Sequence, residues 1–325
     1  MKNVVILLLE NCTPIASIGA MELLYKAGVI HQQIHRTDKP FFDIQLASVG
    51  KVEVQTSNGV AITCHRPVAE IQATDLLLIP AIDFDIDQKL EANQKVIPHI
   101  KRLYDQGTEV ASMCTGTFLL ASTGILNGLS ATTHWFMANK FKNDYPEVDL
   151  KHEKVVIDNG NVYCSGGATS FMSLILYLIE KFCGKETSTM ASKMLLIDTQ
   201  FPQQSQFSIF TPQLSHNDHA IKEAQEYIEK HRAERVSTAA LAGAVGLSER
   251  TLIRRFKQAT GDTPYEYIQR TKIEAAKRML ETEKHTVEEV MYSLGYNDKN
   301  SFRKAFVKHA GLNPSHYRSK YSLST

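Results

Sequence analysis

Two sets of residues in this 325-residue sequence combine the types and spacing that chemistry needs. The first is Cys114 with His134. Cys114 follows the run 109–113 and precedes Thr115-Gly116 and the apolar stretch 118–121, so a strand is predicted to enter a helix through a sharp turn that carries the thiol. Such an elbow turns its side chain out of a sheet, and N–H groups at the helix start would depress the thiol pKa. His134 follows after a second turn at Asn127-Gly128. A cysteine and histidine brought together in this way suit nucleophilic acyl chemistry. The second set is cationic and lies in the last third of the chain. Arg250 and Arg254 stand at i, i+4 on one predicted helix face, with Thr251 and Ile253 nearby. Lys299, Asn300, Arg303 and Lys304 occupy an equivalent face further on. Arginine grips guanine, and asparagine adenine, through paired hydrogen bonds in the DNA major groove.

Different elements must position the two sets. Up to residue 201 the sequence alternates buried-strand and helix signals. Runs at 4–9, 43–49, 76–79, 109–113 and 162–164 read as strands, with an amphipathic stretch through Met21, Leu23 and Leu24 to Ala27-Gly28 and another helix at 171–182. Continuous apolar strands alternating with helices predict a parallel sheet covered on both faces, a doubly wound, flavodoxin-like α/β domain. The polar, proline-containing stretch 202–217 is expected to be a linker. Beyond it all signals are helical, beginning with Ile221, Ala224, Tyr227 and Ile228 at helical spacing.

The helical region contains an internal repeat. Gly246 matches Gly295 at a shift of 49, while Phe256/Phe306, Gly261/Gly311, Pro264/Pro314 and Tyr267/Tyr317 match at 50. Each copy reads as a short helix, a glycine turn and a longer basic helix, which is a helix-turn-helix. Ser248 and Asp298 are the expected N-caps of the second helices. A long helix over 264–283, with Ile268, Thr271, Ala275 and Met279 on one stripe, would hold the two copies together.

Charge agrees with this division. Residues 1–217 carry a net charge of −4 and residues 218–325 a net of +5, which suits a polyanion-binding module joined to an acidic body. The ordinary composition excludes collagen-like, disordered and disulfide-scaffold classes. Five scattered cysteines without a CxxC pair indicate neither a zinc knuckle nor a disulfide framework and fit a reducing cytoplasm. No metal or cofactor is expected. The run 4–9 is short for a secretion signal and ends at Glu10, and no apolar run approaches the ~18–20 residues of a membrane span. A soluble, cytoplasmic protein is predicted.

The repeat, above all GYNDKNSFRKAFVKHAGLNPSHYR, resembles the DNA-binding domain of the AraC/XylS transcription regulators. The resemblance implies that Arg250, Thr251, Arg254, Lys299, Asn300, Arg303 and Lys304 face double-stranded DNA. The elbow and the ATTHW segment resemble the class I glutamine-amidotransferase-like superfamily, which includes PfpI-type proteases, over about residues 3–200. There Cys114 would be the nucleophile and His134 its partner. Three departures argue against turnover. Ala16 and Ser17 fall where an acid should orient the histidine, Pro80-Ala81-Ile82 replaces a Gly-Gly turn, and Thr-Gly follows the cysteine. The sequence therefore predicts a regulator in three parts. Residues 1–201 would sense a small amine, amide or carboxylate metabolite through Asn11, Ala81, Cys114, Thr115, His134 and Ser165, and would form a homodimer; 202–217 would link; 218–325 would bind DNA. The alternative is an active cysteine-dependent hydrolase or amidase tethered to DNA.

Overall fold

The apolar run after Lys2 becomes β1 (Lys2–Leu7), an interior strand of a seven-stranded sheet. The computed structural model describes residues 1–50, 52–198, 203–214, 216–282 and 285–323. Two compact units divide the chain, Met1–Gln204 and Ser205–Thr325.

In the first unit β1 leads through α1 (Pro14–His35) to β2 (Phe42–Ser48). The helix runs on past Gly28, where a glycine accommodates the ring of Phe42. A short hairpin, β3 (Glu53–Gln55) and β4 (Ala61–Thr63), precedes the edge strand β5 (Arg66–Pro67). Next come β6 (Leu76–Ile79), α2 (Ile86–Asn93), α3 (Ile97–Asp105), β7 (Glu109–Met113) and α4 (Gly116–Ser122). A small two-stranded pair, β8 (Ser130–Ala131) and β9 (Asp149–Leu150), brackets α5 (Ala138–Asp144). The unit closes with β10 (Val156–Asp158), β11 (Val162–Ser165), α6 (Phe171–Cys183) and α7 (Lys185–Met194).

The sheet order is β10-β11-β7-β6-β1-β2-β5, and only the β10–β11 pair is antiparallel. Every residue of β6, β7 and β11 except Glu109 is buried. A strand buried at consecutive positions must be covered on both faces, which is why these sequences are apolar or small at successive positions, with Ser112 and Ser165 among them, instead of alternating. The register pairs Val4 with Leu76, Ile79 with Ser112, and Met113 with Ser165. It therefore aligns the carboxyl ends of four strands, where doubly wound folds place their sites.

The second unit is helical: α8 (His219–Lys230), α9 (Thr238–Ala244), α10 (Glu249–Thr260), α11 (Pro264–Thr282), α12 (Val287–Ser293), α13 (Lys299–Ala310) and α14 (Pro314–Tyr321). It has two cores. Ile221, Leu241, Leu252, Phe256 and Tyr267 build one; Ile273, Leu280, Val290, Phe302, Phe306 and Tyr317 build the other. Helix α11 supplies Ile268 to the first and Ile273, Ala276 and Leu280 to the second. The single stripe expected on this helix is therefore a wider buried surface, because one helix serves two lobes.

The stretch 202–217, expected to link the domains, is structured where it is described. Gln204–Gln206 forms a 3-10 turn. Gln203 pairs with Lys154 in the first unit. Phe210 enters the first core of the second unit, where its ring meets Tyr267 edge-on at 5.0 Å. The expected domain end at Phe201 and the first linker residue, Pro202, lie outside the described residues, as does Glu283 at the expected end of α11.

Candidate functional site

β7 stops at Met113 and α4 starts at Gly116, which leaves Cys114 on the turn with φ of +55°. A non-glycine residue held in this region is strained and needs surrounding structure to hold it. Three contacts do so. Cys114 N donates to Ser165 O at 3.0 Å, Thr133 Oγ1 donates to Cys114 O at 2.9 Å, and Thr117 N donates to the same oxygen at 3.3 Å. Glycine at 116 is a steric requirement: a Cβ there would stand 2.3 Å from Pro80 O and 2.8 Å from Ile79 O. The carbonyls of Ile79, which ends β6, and of Pro80 after it thus press against the start of α4, and proline has no N–H to offer an oxyanion.

The thiol is not the activated nucleophile that an elbow suggests. Cys114 is 5% exposed, and burial pushes its pKa up to about 11, against weaker lowering contacts with Thr115. Desolvation outweighs the dipole of a seven-residue helix. The sequence-based expectation of a depressed thiol is corrected on this point. Among the described residues no hydrogen bond joins Cys114 to His134. The His134 Nδ1 instead accepts from Phe136 N at 3.2 Å, which assigns the proton of the neutral ring to Nε2. Burial lowers the His134 pKa and favours that neutral form.

The other expected site residues take distinct places. Thr115 is buried, with its hydroxyl accepting from Ile82 N at 3.0 Å and donating to Ile82 O, so it braces the loop after β6. Ala81, also buried, accepts from Thr13 N at 2.9 Å. Ser165 is fully buried and its Oγ has no partner among the described residues. Asn11 has φ of +56° and is tied through its N–H to Gln55 O, at the β3–β4 hairpin. Asn11 and His134 alone among the six are half-exposed. Ala16 and Ser17, where a histidine-orienting acid was sought, are buried in α1, and the Ser17 hydroxyl faces Cys12 Sγ at 4.0 Å.

Sequence reasoning missed the rim. Phe84 and Phe136 are exposed, and Phe84 meets the ring of His134 edge-on at 5.1 Å. A lone phenylalanine in a loop carries no periodic signal, so only folding reveals this neighbourhood.

The buried thiols make a pH prediction. Cys114 and Cys164 both have pKa values raised from 9.0 to about 11 by burial. Above pH 9 an unfolded thiol ionises while the folded one stays protonated, so stability present below pH 9 is lost as pH rises to 11. Each shift corresponds to about 3 kcal/mol when the window is crossed. Thermal melting of the first unit should fall steeply between pH 9 and 11, and less steeply in Cys114→Ser. A flat profile would contradict thiol desolvation.

In the second unit the two repeats have matching geometry. Gly246 and Gly295 adopt φ of +64° and +75° between the paired helices, a conformation cheap only for glycine. Ser248 Oγ accepts from Thr251 N at 3.3 Å, and Asp298 carboxylate from Ser301 N at 2.6 Å, capping α10 and α13. Phe256 and Phe306 are fully buried beneath those helices. Arg250, Arg254, Asn300, Arg303 and Lys304 are exposed, and the four cations among them have no carboxylate partner among the described residues. Thr251 is half-exposed, its hydroxyl accepting from Ser248 Oγ at 2.9 Å. Lys299 pairs with Glu288, and both side chains are exposed. Arg255 differs from its neighbours: it makes a two-pronged bond to Asp218, at 2.9 and 2.6 Å, and ties α10 to α8. Beside α13 a cleft of about 590 Å³ is lined by Lys304, Lys308, Arg235 and Asp298, and at its floor the buried Lys272 donates to Glu234 O and Leu294 O.

The sequence matches the DJ-1/PfpI family over residues 3–181, more than half of the chain. The chain belongs to the DJ-1/PfpI family. Residues 241–320 match a helix-turn-helix domain, so a DJ-1/PfpI unit precedes an AraC-type DNA-binding module. This is the architecture of a DNA-binding transcriptional regulator. The regulator CdhR of Pseudomonas aeruginosa, an HTH-type transcriptional regulator, is 23% identical over 98% of this chain and 91% of its own length. GlxA of Rhizobium meliloti, of the same description, is 22% identical over 96% of this chain and 94% of its own. A solved protein from Vibrio parahaemolyticus superposes on 60% of this chain and 98% of its own, with a TM-score of 0.54 at 23% identity, a likeness of fold. Among the described residues no helix is long and apolar enough to cross a membrane.

Proposed function

We propose that this DJ-1/PfpI–AraC-type regulator is a cytoplasmic homodimer switched by a small metabolite. The first unit, residues 1–201, would hold an amine, amide or carboxylate near Asn11, Ala81, Cys114, Thr115, His134 and Ser165 without turning it over. Residues 218–325 would read DNA through Arg250, Thr251, Arg254, Lys299, Asn300, Arg303 and Lys304. The observation that carries this reading is the pair of N-capped helices α10 and α13, each presenting unpaired cations and joined through one rigid helix. Two covalently joined readers suit one half-site, and a two-fold partner would double the contacts. The Cys114 thiol, held protonated by burial, favours binding over acyl transfer.

Selection of bound genomic fragments by the purified full-length protein at physiological salt tests the reading. Discrete paired half-sites are expected. Weak, sequence-indifferent and steeply salt-dependent capture would reduce the second unit to a general polyanion binder. Cys114→Ser should leave operator binding within about twofold of the parent; amide hydrolysis by the parent that this substitution abolishes would restore the enzyme reading.

A further inference from the structure

Gln204 is the last residue of the first unit, and it is 3% exposed. Its side chain is inserted among the segments that carry the elbow. Oε1 accepts from Gly167 N at 2.6 Å. Nε2 lies 2.9 Å from each of Thr133 O, His152 O and Lys154 O, and 3.2 Å from Thr132 Oγ1. Its backbone N–H also donates to Glu153 O at 2.7 Å.

This seat has a definite chemistry. Four acceptors surround one nitrogen, and a single N–H faces the neighbouring oxygen. A carboxamide offers both an NH₂ donor and a carbonyl acceptor, whereas an ammonium lacks the acceptor and a carboxylate lacks the donor. The seat is therefore complementary to a primary carboxamide. It is also tightly walled: a Cβ on Gly166 would fall 2.1 Å from Gln204 Nε2. Neither Gly166 nor Gly167 has a positive φ, so glycine at 166 serves to admit the side chain and not to permit a turn.

The seat and the elbow share residues. Thr133 accepts Gln204 through its carbonyl and holds Cys114 O through its hydroxyl. The Gly166-Gly167 segment follows Ser165, whose carbonyl receives Cys114 N. A Cβ on Gly167 would lie 3.6 Å from the His134 ring. Thr133 is itself a partner of Gln204, His134 and Ser165 are close to partners along the chain, and the peptide bond after Gln204 leads into Ser205, where the second unit starts.

We propose that this seat is a primary-carboxamide site occupied in cis by Gln204, and that vacating it is the step that passes elbow occupancy to the chain entering the DNA-binding unit. The second half rests on the ligand control proposed above. A tethered side chain has an effective concentration on the order of millimolar or more, so free amides should not displace it from the parent protein.

The experiment uses full-length protein and acetamide as the probe. In Gln204→Ala, hydrogen exchange at Gly167 N–H and across residues 152–154 should quicken at least tenfold, and acetamide should restore protection. Dimethylacetamide, which has no N–H, should not. Gly166→Ala should evict Gln204, quicken the same exchange, and resist rescue because its methyl fills the seat. Unchanged exchange in both variants, or equal rescue by dimethylacetamide, would overturn the carboxamide site. Coupling is read as operator affinity, expected to shift at least fivefold in Gln204→Ala while affinity for random DNA stays constant. Ligand control is read separately, as the response of parent operator binding to the low-molecular-mass fraction of a cell extract. A response retained unchanged in Gln204→Ala would overturn the latch and leave ligand control standing. No response in the parent would overturn ligand control, while acetamide rescue would still support the seat.

Discussion

Replacing Arg250 and Arg303 together by alanine is expected to cost operator binding about 2–6 kcal/mol, roughly 30-fold to 10⁴-fold, since each two-pronged base contact is worth about 1–3 kcal/mol. The more telling result is the loss of discrimination. Both side chains are exposed on capped helices and lack carboxylate partners among the described residues. Their removal should leave the cores anchored by Phe256 and Phe306 intact. Affinity for random DNA should fall far less, because it follows the whole positive surface, to which the exposed Arg254, Lys299 and Lys304 still contribute in the double variant. Parallel titrations of operator and random duplex at one salt concentration would check this. Undiminished preference for the operator in the double variant would remove these residues from the reading face. Arg255→Ala should act differently: it breaks the bond to Asp218 and loosens α8 from α10. It should therefore lower the melting temperature of the second unit with little change in preference between sequences.

Gly116→Ala is the second substitution with a large expected effect. The new methyl would meet two backbone carbonyls, Pro80 O at 2.3 Å and Ile79 O at 2.8 Å. Neither can rotate away as a side chain would: Ile79 is paired in the sheet with Ser112, and the loop through Pro80 is tied back at Ile82 by Thr115. Either α4 shifts or the elbow opens. Overpacking of a well-filled core costs about 1–3 kcal/mol where neighbours can adjust, and here the upper end or more is expected. For a unit of this size that lowers the melting temperature by on the order of 10 °C. The same distortion should relieve the strained φ at Cys114 and increase thiol accessibility, so alkylation by iodoacetamide should quicken along with the loss of stability. A parent-like melting temperature would show that the elbow has slack its packing denies.

The distinction between the thiol that residue types suggest and the thiol that the fold delivers is general. Sequence placed Cys114 on a strand-to-helix turn because the run 109–113 and the stretch 118–121 leave few other conformations between them. It did not convey that Thr115 closes over Ile82, or that Pro80 turns a carbonyl toward the helix start. The folded surroundings bury the sulfur, and that burial sets the sign of its pKa shift.

The sequence by itself determined the two-part organisation, five of the seven strands of the main sheet, and the doubled helix-turn-helix. These follow from local causes: apolar runs that must be buried, glycines that end helices, Ser248 and Asp298 that cap them, and a fifty-residue repeat of aromatic anchors. It also located the exposed cations on α10 and α13, since a helix period fixes which face a side chain takes. Only the tertiary structure decided the rest. It distributed α11 between two cores, raised the Cys114 pKa, directed the His134 Nδ1 to Phe136 instead of a thiol, and placed Phe84 beside that ring. Most of all, it took Gln204 from a stretch that reads as a linker and buried it among Thr133, His152, Lys154 and Gly167. The acceptors that hold it are mostly backbone carbonyls, which every residue type supplies. Their convergence is a property of the fold, with no residue letter to announce it.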